Sequence, residues 1–209
     1  MIAATRDHVS IEKKRYNAEI VAGSLMLVES RKIAELLLKG IDNGAWHQAL
    51  VIDNVLQKKS PSTAKRQAAL IRKRLELMTP DLWRLAADGT SEVATQSVFA
   101  AAIKHSHLLG DFLQCVVKAR YKVFDNQLSR KDWKTYLEER EQLEPEVASW
   151  AESTRNKIGE VIFRVLAEAH YLDSTRSLRI TPVLLTGEVR RYLVNNGEQY
   201  VLDCMEIAL

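Results

Sequence analysis

The sequence predicts an all-α fold on three observations. Glycine and proline are scarce, at 8 and 4 of 209 residues, and so few chain breakers favour long helices over many short strands. Apolar residues recur at spacings of three and four over most of the chain, the repeat of a helix face. Capping signals stand where those repeats begin, most clearly Ser60 before Pro61. Strand content is therefore expected well below a tenth, against a usual value of about 20–25 %.

The elements follow in order. Residues 1–19 are polar and weakly periodic, and read as an arm with one helical turn. A helix is expected from about Ala22 to Lys39, with Met26, Ile33 and Leu37 on one side. The run Gly40-Ile41-Asp42-Asn43-Gly44 is a turn. A second helix runs from about Ala45 to Gln57 and buries Trp46, Ala49, Leu50 and Leu56. The third is the best defined. Ser60 is its N-cap and Pro61 its first position. Ala64, Ala68, Ile71, Leu75 and Met78 then recur four, three, four and three apart, before Thr79-Pro80 ends the helix.

A short segment with Trp83 and Leu85 leads to a helical stretch from Thr90 or Ser91 to about Phe124, broken at Gly110-Asp111. Ser129 with Asp132 forms a capping box for a helix carrying Trp133 and Leu137. Glu144-Pro145 opens the next element. Ser149 with Glu152 reads as another capping box, for a helix through about His170 with Ile158, Ile162, Val165 and Ala169 inward. Thr181-Pro182 opens a helix to about Val194, stopped by Asn195-Asn196-Gly197. Glu198–Ile207 is a last helix or strand, and Ser177–Ile180 is compatible with a short strand. The expected organisation is a helix-turn-helix-like nucleic-acid-binding unit over 1–80, then a helical bundle over 81–209 with room for one short hairpin.

Composition narrows the function. Apolar residues make up 46 % and charged residues 27 %, the balance of a globular protein. The longest stretch free of Asp, Glu, Lys and Arg is Val93–Ile103, too short for the ~20 apolar residues of a membrane span. No membrane partner is expected. The first residues are charged and lack an apolar signal core, which points to a cytoplasmic protein. Cys115 and Cys204 lack a CxxC partner and read as small buried apolar residues in a reducing compartment. Charge is uneven: residues 1–78 hold 14 Lys or Arg against 8 Asp or Glu, and 79–209 hold 16 against 19. A basic first third suits an anionic partner.

That excess gathers on the third helix. Lys58 and Lys59 precede it, and it carries Lys65, Arg66, Arg72, Lys73 and Arg74. At about 100° per residue from Ile71, residues Ser62, Arg66, Ala69 and Lys73 fall opposite the apolar stripe, with Lys65 and Arg72 on the flank. Ser62, Thr63 and the free N–H groups of the first turn can bind phosphate oxygens. Ala69 keeps the middle of the helix low enough to approach a groove. Two bracing helices and a third facing duplex DNA are the layout of a helix-turn-helix. The candidate DNA-binding residues are Lys58, Lys59, Ser62, Thr63, Lys65, Arg66, Arg72 and Lys73. Arg66 is the main arginine placed to pair with a guanine edge, so little sequence specificity is expected. RNA binding and docking of an acidic protein on the same face are the rival readings.

No catalytic constellation, metal site or cofactor motif is read in the chain. His105 and His107 point about 200° apart on one helix and cannot share an ion. His107 and Asp111 share a face, but two ligands are too few. GxSxG, GxxxxGK[ST], GxGxxG and HExxH patterns are missing. Glu138, Glu139, Glu141, Glu144 and Glu146 read as a solvated surface or a docking patch. Tyr121, Phe124, Trp133, Tyr136 and Trp150 read as core aromatics.

The run Ile33–Leu38, Gly40, Trp46, Asn54–Leu56 and Gln57-Lys58-Lys59-Ser60-Pro61-Ser62-Thr63-Ala64-Lys65-Arg66 resembles the BrxA family of bacteriophage-exclusion (BREX) defence systems. So do His105–Phe112, Trp150–Arg155 and Leu166–Pro182, including Tyr171-Leu172-Asp173-Ser174-Thr175-Arg176. The resemblance spans about Ala22 to Cys204. It implies a small, helical, non-enzymatic protein encoded with a methyltransferase, an alkaline-phosphatase-like protein and a large ATPase. It also implies a likeness to the RNA-binding antitermination factor NusB. The candidate site residues come from the helix argument alone.

Overall fold

The computed structural model describes residues 15–207. The expected N-terminal arm lies outside them up to residue 14. The fold is all-helical, and among the described residues β structure amounts to two isolated antiparallel bridges, Gln127 with Arg179 and Leu172 with Ile180.

The central helix is the charge-free stretch. Helices α1 (Leu27–Leu38), α2 (Asn43–His47), α3 (Pro61–Leu75), α4 (Pro80–Asp88) and α5 (Ser91–His105) come first in the chain. Every residue of α5 from Val93 to Ile103 is buried. A helix that is apolar all round must be covered all round, and α1, α3 and α4 pack on it. Its few polar groups are satisfied locally: Thr95 Oγ1 donates to the Ser91 carbonyl at 2.7 Å and Ser97 Oγ to Val93 at 2.7 Å. One continuous core runs from Tyr16 to Ile207.

The first helix begins at Leu27 rather than Ala22. Glu19–Ala22 is a separate 3₁₀ turn, and Met26 is left-handed at φ 52°. Tertiary partners hold the break open. Glu168 accepts from Leu25 N at 2.7 Å and from Ser24 Oγ at 2.8 Å, and Arg74 donates to the carbonyls of Gly23 and Ser24. The second predicted helix is also shorter. After α2 the backbone widens into a π-helical segment, Gln48–Ile52, and stops before the left-handed Asn54 at φ 45°. Trp46 is half-buried there, not buried, whereas Ala49, Leu50 and Leu56 are core. The segment around Trp83 is a full helix, α4, with Pro80 in its first turn and Leu82, Ala86 and Ala87 inward.

The second half departs in similar ways. The chain breaks at Ser106, not Gly110-Asp111, giving α6 (His107–Phe112), a π-helical segment Leu113–Lys118 and α7 (Ala119–Lys122). Gly110 sits inside α6, where a β-carbon would run into the Tyr200 hydroxyl. Phe124, expected in the core, is 92 % exposed, in a left-handed turn that ends α7. Cys115 is likewise exposed, while Cys204 is buried as expected.

The capping box of Ser129 and Asp132 starts α8 (Arg130–Glu141), and α9 (Pro145–Ala148) follows. No box forms at Ser149, whose hydroxyl donates to the Glu146 carbonyl; α10 (Glu152–Glu168) is preceded by Ala151. Ile158, Ile162, Val165 and Ala169 point inward as predicted. Residues after Pro182 stay extended until α11 (Gly187–Asn195), because buried Gln96 of α5 bonds the Leu184 carbonyl and Thr186 N. The chain closes with α12 (Gln199–Met205), after the left-handed Gly197.

Candidate nucleic-acid interface

The interface candidate is the outer face of α3 and the loop before it. Ser60 Oγ accepts from Thr63 N at 3.3 Å and meets the Thr63 and Ser62 hydroxyls at 2.9 and 3.2 Å. The cap therefore ties up one backbone donor of the first turn and engages both hydroxyls named from the sequence. Upstream, the Asn54 amide clamps Lys58: Oδ1 accepts Lys58 N at 2.9 Å and Nδ2 donates to its carbonyl at 3.0 Å. That clamp sets the direction in which Lys58 and Lys59 leave the backbone.

The cations then separate by partner. Lys59, Lys65 and Arg66 are exposed, and among the described residues none makes an ion pair. Lys58 is paired with Glu29 of α1 and is only about a fifth exposed. Arg72 lies over the Trp46 ring, its guanidinium carbon 4.7 Å from the centroid, and its Nε donates to Glu76 at 2.6 Å. Lys73 donates to both oxygens of Glu19, at 2.9 and 3.0 Å. This hydrogen bond holds the Glu19 carboxyl below its ordinary range.

Arg74 falls only about 60° from Ile71 at ~100° per residue, on the apolar side of the helix. It is 2 % exposed, faces inward and bonds the carbonyls of Ser24 and Gly23 at 2.6 and 3.1 Å. Burial pushes its pKa down to about 10, against the favourable charge of Glu168. It is a structural cation, absent from the candidate set.

Beside the outer face lies a groove of about 350 Å³ between α3 and the α2–π segment. Trp46, Leu50, Val51 and Ala69 make its apolar floor, and Lys65, Arg72, His47 and Asn43 line the rest. Sequence reasoning placed Trp46 in the core and so missed the groove. The signal lay in the short, glycine-bearing α2, which carries a tryptophan without enough helix to bury it.

The other chemistry-bearing clusters are structural. Buried Asp111 accepts from Arg15 Nη2 at 2.8 Å, Tyr16 at 2.6 Å and Tyr200 at 2.9 Å. These bonds tie the segment before α1 to α6 and α12. Burial and the Asp111 hydrogen bond push the Tyr16 phenol up to about 12. Glu141 of the acidic run is paired with Arg155 through two bonds of 2.9 Å. Of the five aromatics, Trp133 and Tyr136 are core, Tyr121 and Trp150 half-buried.

An all-helical protein with a basic helix on its surface, no helix long and apolar enough to cross a membrane among the described residues, and a core built round one apolar helix defines the class. Comparison places it more narrowly. The family model BrxA matches residues 14–197. A BREX protein BrxA from Paramagnetospirillum magneticum (strain ATCC 700264 / AMB-1) is 47 % identical over 93 % of this chain and 98 % of its own. One from Escherichia coli O9:H4 (strain HS) is 36 % identical over 92 % of this chain and 91 % of its own. The crystal structure of an uncharacterized protein from Magnetospirillum magneticum superposes with a TM-score of 0.85 at 45 % identity, covering 93 % of this chain and all of that one. The chain belongs to the BrxA family.

Proposed function

We propose that this protein is a non-enzymatic, cytoplasmic component of a BREX phage-defence system that binds duplex DNA, mainly through backbone phosphates and with little sequence specificity. The observation that carries the reading is the set Lys59, Lys65 and Arg66: three exposed cations without an ion-pair partner among the described residues, at the N-terminal end of a helix whose other face packs in the core. Backbone N–H groups there add to the attraction for phosphate. We read residues 1–80 as the binding unit, with α1 and the π-helical segment after α2 packed on α3 in the manner of a helix-turn-helix. Lys58, Arg72 and Lys73 already have partners and contribute less than the sequence suggested. Other BREX proteins are further partners.

Fluorescence anisotropy across a salt series tests this. Duplex affinity falls with salt at a log–log slope of about −0.9 per phosphate contact. The double variant Lys65→Glu/Arg66→Glu weakens binding to all duplexes alike, at least tenfold, and flattens the slope. It stays folded by circular dichroism, whereas Ile71→Asp loses the fold by burying an unpaired charge. A folded charge-reversed protein with an unchanged slope overturns the reading. Preference for RNA duplex of the same length, or tight binding to neither, hands the face to the rival readings.

A further inference from the structure

We infer that the groove beside α3 takes a single unpaired nucleobase, stacked on the Arg72 guanidinium in a three-layer stack whose base layer is Trp46. The inference rests on the nucleic-acid reading above and deepens it from duplex to the junction between duplex and single strand.

Geometry comes first. The planar Arg72 guanidinium lies over the Trp46 ring, its central carbon 4.7 Å from the centroid, and its Nε donates to Glu76 at 2.6 Å. Two partners restrict the Arg72 side chain before any ligand arrives, which lowers the entropy cost of binding on it. The Arg72 side chain keeps 39 % of its surface exposed and lines the groove, so the face away from Trp46 can receive another flat group. Arginine planes and aromatic rings are the surfaces on which unpaired bases stack.

Charge comes next. Glu76 offsets the cation of Arg72, which makes Arg72 a poor phosphate clamp and leaves its shape as the useful property. Lys65 is different. It lines the same groove and makes no ion pair among the described residues, and Arg66 follows it on the exposed face. The groove lining has no carboxylate. An apolar slot with a cation at its rim is complementary to a nucleotide: the base lies on the face of Arg72 away from Trp46, and its phosphate meets Lys65. Asn43 and His47 add polar groups to the lining. At about 350 Å³ the groove falls within the usual range of small-ligand sites, about 300–1,000 Å³. A base inside an intact duplex cannot reach such a slot, so the ligand must present an unpaired one.

The experiment compares a blunt duplex with the same duplex carrying a short 3′ or 5′ overhang, with 2-aminopurine as the first unpaired base. Stacking is worth about 1–3 kcal/mol per base, so the overhang duplex binds about tenfold tighter and its 2-aminopurine fluorescence is quenched on binding. Arg72→Lys keeps the charge and loses the plane. Trp46→Leu keeps the bulk and loses the support. Each brings the overhang-to-blunt ratio toward one and restores the fluorescence, with circular dichroism confirming the fold. Equal affinity for both duplexes without quenching, while the salt slope persists, overturns the stacking site and leaves duplex binding standing. Quenching that survives both substitutions also overturns it, because the base then stacks elsewhere. Loss of all binding, blunt and overhang alike, in unaltered protein defeats the nucleic-acid reading itself.

Discussion

The two ends of α3 carry similar numbers of cations and use them in opposite ways. Toward the N-terminus, Lys59, Lys65 and Arg66 stand free among the described residues. Toward the C-terminus every cation is spent: Arg72 on Trp46 and Glu76, Lys73 on Glu19, Arg74 on the backbone of the segment before α1. The difference shows that a basic helix is not a basic surface. What counts is the charge left after neighbouring carboxylates and carbonyls have taken their share. The free end also holds the helix's unpaired N–H groups, where an anion is best received.

Removing Arg74 sharpens the comparison most. Arg74→Ala strips the buried guanidinium from the carbonyls of Gly23 and Ser24. Leaving an acceptor without its charged donor costs about 1–3 kcal/mol. Urea denaturation reads that loss as a lowered midpoint; a cost below about 1 kcal/mol would mean that Arg74 is not a structural cation. Next in size is the reverse case at the free end. Lys65→Ala and Arg66→Ala leave stability within about 0.5 kcal/mol, as exposed substitutions do, while weakening duplex binding severalfold in anisotropy titrations. If they unfold the protein instead, the division between the two ends of α3 fails.

Lys73→Met is a smaller test. It removes an exposed pair with Glu19 worth about 0–1 kcal/mol, and duplex affinity changes less than for Lys65→Ala. Equal losses at both sites would show that Glu19 does not withhold Lys73 from a ligand.

The smallest effect is a pH dependence around the same carboxylate. His105 lies beside Glu19, its Nε2 3.2 Å from Oε2. Burial, then the charge of Arg74, lowers its pKa below the ordinary value of 6.5. A histidine that prefers to be neutral in the folded state stabilises above the unfolded pKa, and that contribution shrinks as pH falls below 6.5. Glu19, held below its ordinary value by Lys73, keeps its full contribution above pH 4.5 and loses it as pH falls from there through the lowered pKa. Melting temperature therefore drops between pH 7.5 and 5.5, and His105→Gln flattens that drop. An unaltered slope in the variant would remove His105 from the account.

Much of this protein was legible in the chain. The stripe Ala64–Ala68–Ile71–Leu75 and the Ser60-Pro61 start were enough to draw α3 and its exposed face, because period and cap are local properties. Val93–Ile103, the charge-free stretch, became the helix buried on every side, since composition alone tells how much water a segment tolerates. Fold class followed from the same local rules.

Tertiary structure decided the rest. A helix begins at Leu27 instead of Ala22 because Arg74 and Glu168, distant in sequence, compete for the backbone of residues 23–25. Residues 182–186 stay extended because Gln96 takes their hydrogen bonds. Phe124 sits in water because the turn after α7 points away from the core. Above all, which of the α3 cations remain free, and that Trp46 opens into a groove beside them, depend on Glu19, Glu29 and Glu76 reaching particular side chains. Spacing along one helix fixes which way a charge points, but its availability is set by whatever the fold brings within a few ångströms.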